Sequence, residues 1–184
     1  MAKIPNWIKA NRDKWEYRGQ KRPPFALEPE SGQESVWDYP RPPKIVADSR
    51  TVVVKSEGII ISETSRAIRI LETASPPTFY LPPDSLNMDF LQPSGGASLC
   101  EWKGAAQYWD VIAGTGILRK VAWSYPNPFE DFSAIAGYLS FYPAHLDCYV
   151  DGEKVRPQPG GFYGGWITSE IVGPFKGEIP EASL

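Results

Sequence analysis

Residues 1–44 show little alternation of hydrophobic and polar positions, whereas from about residue 51 short hydrophobic runs recur with glycine or proline between them. Thr51-Val52-Val53-Val54 is β-branched throughout, Ser56-Glu57-Gly58 offers a turn, and Ile59-Ile60-Ile61 resumes the run, which predicts a β-hairpin. Residues 147–150 and 153–155 flank Asp151-Gly152, a pair suited to a type I′ turn, and predict a second hairpin. Residues 105–112 and 120–125 predict a third, with 113–116 at the bend. Short strands are expected at 78–81, ahead of Pro82-Pro83, and at 138–142, ahead of Pro143. Residues 65–72 fit two periods: Ile68 and Ile70 alternate as in a strand, while Ala67, Ile68 and Leu71 share a helical face. The shortness of this segment and the following Pro76-Pro77 favour a strand. Helix is expected in two places only. Ile4, Trp7, Ile8 and Trp15 share a face within residues 4–17, and Asp84 or Ser85 would cap a turn of helix over 84–91 with Leu86, Phe90 and Leu91 inside. Pro93-Ser94-Gly95-Gly96 would end it.

This pattern places the compact β-rich core domain at residues 46–156. Residues 1–45 read as an N-terminal arm, because Arg22-Pro23-Pro24 and Pro40-Arg41-Pro42-Pro43 force extended chain. Trp37 and Tyr39 lie between these proline segments, and docking them on the domain would bury on the order of 150–250 Å² each. Residues 157–184 form a C-terminal extension rich in glycine and aromatics, Gly160-Gly161-Phe162-Tyr163-Gly164-Gly165-Trp166.

Composition narrows the function classes. A chain of 184 residues with 42% hydrophobic content suits one domain with extensions and a real core. A net charge of −3 argues against a general grip on nucleic acid, which needs a basic face. No apolar run approaches the ~20 residues of a membrane span, and Met1-Ala2-Lys3-Ile4-Pro5 lacks the apolar region of a secretory signal. A cytoplasmic protein without a membrane partner is expected. Cys100 and Cys148 form no Cys-x-x-Cys pair and His145 is the single histidine, so neither a structural metal nor a cofactor is expected and both thiols are expected reduced. His145 itself reads as a surface-loop residue.

The densest chemistry lies in residues 100–109, Cys-Glu-Trp-Lys-Gly-Ala-Ala-Gln-Tyr-Trp. The run is too polar for core and too aromatic for an ordinary loop, and it reads as the wall of a site. Glu72, Cys100 and Lys103 are the candidate catalytic residues: an acid/base, a nucleophile, and a cation that would favour the thiolate. Glu72 and Lys103 are expected within salt-bridge reach of each other. Tyr80, Trp102, Tyr108, Trp123 and Tyr125 are the candidate ligand-binding residues, since Tyr and Trp carry polar ends on apolar bodies. Lys103-Gly104 does not follow the P-loop order, and no Gly-Ser pair precedes an Asp-x-Asp metal pair.

Several of these segments, in order, resemble one family. They are residues 34–43 (Glu-Ser-Val-Trp-Asp-Tyr-Pro-Arg-Pro-Pro), Leu71-Glu72 with Pro76-Pro-Thr-Phe-Tyr-Leu-Pro82, Cys100-Glu-Trp-Lys-Gly104 with Tyr108-Trp109, Ala122-Trp-Ser-Tyr-Pro126, and Gly137-Tyr-Leu-Ser-Phe-Tyr142. The family comprises small bacterial domains of unknown function, in places labelled nucleotidyltransferase-like. The resemblance implies a mainly β, β-tent-like domain of two antiparallel sheets with the motif residues around one cleft, and it brings no activity. Three readings follow: a small-molecule ligand held in an aromatic cleft with Glu, Lys and Cys at its rim; an enzyme using the same cleft for acid/base or thiol chemistry; and a protein-interaction module, including self-association, through the arm and tail.

Overall fold

The computed structural model describes residues 4, 6–12 and 14–180. The chain is mainly β. Among the described residues the one α-helix, α1 (Asn6–Arg12), buries Ile8 and leaves Trp7 exposed. The helix stops well short of the expected Trp15. Its first turn has no acidic residue to offset the dipole, a helix this short is marginal by itself, and Trp15 instead stacks on Arg41, 4.0 Å from the guanidinium carbon.

The strands follow in chain order. In the arm lies β1 (Glu34–Ser35). The body holds β2 (Lys44–Asp48), β3 (Val52–Ser56), β4 (Ile59–Thr64), β5 (Ala67–Leu71) and β6 (Thr78–Tyr80), then β7 (Leu91–Cys100), β8 (Gly104–Ala113) and β9 (Gly116–Ser124). After these come β10 (Leu139–Phe141), β11 (Asp147–Val150) and β12 (Glu153–Lys154). The tail adds β13 (Arg156–Pro157), β14 (Trp166–Ile167) and β15 (Ile171–Val172). Three expected hairpins are present, β3–β4, β8–β9 and β11–β12. Two of them turn on a pair of positive-φ residues, Glu57-Gly58 and Asp151-Gly152, as the twist of antiparallel strands favours.

Two local expectations change. Residues 84–91 form two 3₁₀ turns, Pro83–Ser85 and Met88–Phe90, instead of one helical turn. The Asn87 N–H donates to Ile61 O at 2.9 Å, which interrupts a helix, and the Asn87 side chain caps the second turn in place of Asp84 or Ser85. Pro93-Ser94-Gly95-Gly96 does not end an element: β7 runs through it with a bulge between Pro93 and Ala97. An edge strand tolerates this, because a proline there removes no interstrand donor.

Sheet order is β12-β11-β3-β4, β10-β9-β8-β7 and β2-β5-β6, all antiparallel, with a small antiparallel pair β13-β14 and a parallel pair β1-β15. Leu81 and Leu139 exchange backbone hydrogen bonds at 2.8 and 3.1 Å, so β6 runs on from the β10 edge. The β2-β5-β6 and β10-β9-β8-β7 sheets thus make one bent surface, with β12-β11-β3-β4 packed on one face of it. The main core fills that interface with Val52, Val54, Ile61, Val111 and Phe141, and the tail inserts Trp166. Trp166 stacks on Phe79 with centroids 4.9 Å apart and donates to Phe141 O.

Arm and tail meet in a second core around Trp37, which is fully buried with Val36, Leu71, Ile167 and Ile171. Tyr17 and Phe25 set their edges against the indole, and Trp37 Nε1 donates to Pro174 O at 3.1 Å. An ionic clamp borders it. Arg69 reaches Glu34 and Asp48, Arg50 reaches Asp48 and Glu170, and Tyr39 donates to Glu34. Among the described residues no helix is long and apolar enough to cross a membrane.

Trp37→Ala should cost about 3–5 kcal/mol and lower Tm by on the order of 10 °C; an unchanged melting curve would show that the arm does not hold the body. The clamp gives a second test. Burial works to raise the Asp48 and Glu34 pKa values, yet hydrogen bonds and charge from Arg50 and Arg69, with Tyr39 at Glu34, bring both below the ordinary carboxylate range. Their contribution is therefore present above that range and lost as pH falls through the lower folded values. The urea midpoint should hold from about pH 7 to 5 and fall below about pH 4; a midpoint flat to strongly acidic pH would contradict the clamp.

Candidate functional site

Strand alternation sorts the side chains of the bent surface between two faces. From β8 and β9, Trp109 and Ala122 point to the main core, while Ala106, Tyr108, Trp123 and Tyr125 point the other way. β6 does the same with Phe79 and Tyr80. The outward set, joined by Ile70 of β5, forms a third, aromatic cluster. Tyr108 and Trp123 are cross-strand partners, Trp123 Nε1 donates to Tyr80 Oη at 3.3 Å, and the Trp123 and Tyr142 rings lie 4.4 Å apart.

Two turns bring polar groups to this wall. The first follows β5: Glu72 opens a turn closed by Ser75 N–H donating to Glu72 O. Arm and tail hold that turn, since Thr73 Oγ1 donates to Tyr39 O, Ala74 N–H to Val36 O, and Lys176 N–H to Ala74 O. Ala74, buried with φ +68, keeps a left-handed backbone that a non-glycine residue adopts only when its surroundings impose it. The second turn is the tip of the β7–β8 hairpin, where Cys100 pairs with Gly104 across Glu101, Trp102 and Lys103. Gly104 has φ +98, and Phe129 N–H donates to Lys103 O, which ties the tip to the following loop.

Arg41 joins the two turns. Its Nη1 meets Glu72 Oε1 at 2.6 Å and its Nη2 binds Glu101 Oε1. The guanidinium lies over Trp15, with Trp102 at 5.4 Å on its approach. Arg12 adds donation from Nε and Nη2 to Glu101 O and sits 4.3 Å over the Trp102 ring. With its side chain 2% exposed, Arg41 is a buried cation whose Nη1 and Nη2 meet two carboxylates that still reach solvent, while its Nε has no partner.

Between these elements lies a cavity of about 650 Å³. Tyr80, Tyr125, Cys100 and Lys103 form its deep end, and Trp7, Leu99 and Phe162 stand exposed at the mouth. The glycine-rich tail loop passes close over the aromatic wall. A Cβ at Gly164 would come within 2.1 Å of Trp123, so only glycine fits there.

Burial raises the tyrosine pKa values at the deep end. Tyr80 is pushed up to about 12, with Lys103 and the Trp123 hydrogen bond opposing. Burial likewise moves Tyr125 well up, helped by Tyr80 and Cys100, and moves Tyr142 up with help from Tyr108. At Lys103 burial opposes the charge, but Cys100, Tyr80 and Glu72 together outweigh it and the pKa rises. The phenols of this floor are therefore neutral at neutral pH. Among the described residues no group of three or more His, Cys, Asp and Glu could hold a metal ion.

A family model for a domain of unknown function, DUF427, matches residues 44–152. The chain belongs to this family. The model's short name is that of a nucleotidyltransferase, while its description gives the function as unknown. No curated protein matches the chain. The DUF427 domain supplies the β8–β9 wall, both turns and the deep end of the cavity, whereas Arg41, Trp15, Phe162 and Lys176 come from outside the matched residues.

All eight candidate residues read from the sequence line this one cavity: Glu72, Cys100 and Lys103, with Tyr80, Trp102, Tyr108, Trp123 and Tyr125. The expected Glu72–Lys103 ion pair is corrected. Glu72 pairs with Arg41, and Lys103 sits deeper, over the Tyr125 and Phe132 rings at 5.9 Å. Both cysteines are free; Cys148 is buried in the main core, and His145 is exposed on a turn. The residue that sequence reasoning missed is Arg41. Its one signal was a charge pinned between prolines in an aromatic arm.

Arg41→Met should destabilise the fold by about 3 kcal/mol, because two carboxylates lose their shared cation. Adding Glu72→Gln and Glu101→Gln should restore most of that loss in urea unfolding; a triple variant no more stable than Arg41→Met would contradict the triad.

Proposed function

We propose that this DUF427 protein binds a small molecule in the cleft between the aromatic wall and the two turns. The carrying observation is one cavity of about 650 Å³ that combines flat aromatic faces with a few convergent polar groups. Ligand sites are typically of about 300–1,000 Å³ and of this mixed lining. Tyr108 and Trp123 offer the faces, and Glu72, Lys103 and Cys100 stand where they would orient a ligand or act on it. Gly164 supports the same reading: its lack of a side chain lets the tail cover Trp123 without filling the cavity. Two free thiols support a reducing, cytoplasmic setting.

A thermal-shift screen of small aromatic metabolites against the full chain tests this. A true ligand at one hundred times its Kd adds about 2.7 kcal/mol, a rise in Tm of roughly 5–10 °C. Ala106 is 4% exposed on the cleft wall, and Ala106→Phe should fill the cavity and abolish the shift. A shift of equal size in that variant would place binding elsewhere, and a metabolite panel with no shift would count against a ligand site.

A further inference from the structure

The loop that joins β13 to β14 runs over the mouth of the cleft. Its base is closed twice: the Gln158 N–H donates to Gly165 O at 3.1 Å, and the Gly165 N–H donates to Gln158 Oε1 at 3.0 Å. Gln158 is buried, and its Nε2 donates to Lys176 O at 2.9 Å, which fixes the base to the tail. The β13–β14 ladder runs straight into it, with Pro157 opposite Trp166. Residues 159–164 therefore project from a rigid neck, the form of a short Ω-loop.

The parts of this loop are not held alike. On its returning limb the Tyr163 ring lies 4.7 Å from Lys176 Nζ, and Gly164 rests on the Trp123 indole. At its start Pro159 packs so closely on Gly177 that a Cβ there would come within 2.3 Å of Pro159 O. Between these anchors Gly160, Gly161 and Phe162 are exposed. Gly160 and Gly161 have φ of +93 and +71, and a Cβ at Gly161 would meet nothing within 4 Å. Glycine at 161 thus serves the backbone and not the packing, and such a pair is where a chain can change direction at small cost.

Phe162 is the side chain that this tip carries. At 67% exposed it is the most exposed large apolar residue among those described, with the edge of Tyr163 beside it at 5.3 Å. A single exposed apolar residue is ordinary. Here Trp7 and Leu99, 57% and 49% exposed, stand at the same mouth. Apolar side chains from α1, β7 and the tail loop therefore surround one opening, with the aromatic wall inside it.

We propose that residues 160–162 are a cap on the cleft: the tip turns about Gly160-Gly161 and lays Phe162 over an aromatic ligand held beside Trp123. This rests on the reading of the cleft as a small-molecule site. Closure is driven by burying an exposed ring against the apolar face of the ligand. The neck and the returning limb keep the wall in place while the tip moves. A ligand enters past the open tip and leaves only when Phe162 lifts, so the cap acts on release and not on entry.

The test uses three neutral fused-ring probes on the full-length protein: 2-naphthylmethanol, indole and quinoline. A thermal shift that Ala106→Phe abolishes identifies binding in the cleft. With a bound probe at saturation, amide exchange at Gly161, Phe162 and Tyr163 should slow by at least about tenfold. Phe162→Ala, a change at an exposed position that leaves the fold intact, should raise the probe's dissociation rate about tenfold, equivalent to about 1.4 kcal/mol, with the association rate unchanged. Unchanged exchange at these amides while a probe occupies the cleft would overturn the cap and leave the cleft reading standing, whatever Phe162→Ala does to release. A dissociation rate that Phe162→Ala does not alter would do the same. Failure of all three probes to bind would overturn both.

Discussion

The geometry of the cleft depends on a single buried guanidinium. Arg41 holds Glu72, at the end of β5, and Glu101, at the tip of the β7–β8 hairpin, which belong to the two halves of the bent surface. Each half has its own hydrogen-bonded register, but that register does not set the distance between two turns at their ends. Arg41 sets it, because a planar fork with donors on both sides can serve two carboxylates at once, which a lysine point charge does poorly. The indole of Trp15 covers the guanidinium and keeps water from competing for it. Arg41 is in place because the arm is docked, and the arm is docked because Trp37 is sealed between body and tail. A cleft built mainly from the β domain thus takes its shape from segments outside the family match.

One sheet surface serves two purposes here. Period-2 alternation lets β8 and β9 send Trp109 and Ala122 into a dry core and Tyr108 and Trp123 to a cavity wall. The core face fixes the strands, and the rings on the other face inherit that rigidity. The buried phenols then remain neutral, since burial raises their pKa values.

The hairpins were legible because their signals are local. Asp151-Gly152 is a pair suited to two positive-φ positions, and Glu57-Gly58 sits between the β-branched runs of β3 and β4. The β7 bulge was hidden, because Pro-Ser-Gly-Gly reads as a break unless the strand is known to lie at an edge. The cleft candidates were legible for a related reason. A thiol, a carboxylate, an amine and an indole crowded before Gly104 read as the wall of a site, though not as the hairpin tip they form, and the rings of β8 and β9 follow from alternation. The Arg41 triad was not legible. Its partners lie 31 and 60 residues away, and no periodicity links positions at such distances. Charge alone suggested Lys103 for Glu72, whereas the folded chain seats Lys103 among rings and brings the arm to the carboxylate.

The seven tryptophans make the central claim directly observable. Trp7, Trp15, Trp102 and Trp123 line the cleft, whereas Trp37, Trp109 and Trp166 belong to the cores or pack against them. Assigned indole N–H signals in a nitrogen–proton correlation spectrum can be followed as a mixture of planar aromatic fragments is added. A ligand-binding cleft predicts that the Trp102 and Trp123 signals move in a saturable way while those of Trp37, Trp109 and Trp166 stay fixed. Signals that never move, or movement confined to the core indoles, would contradict it.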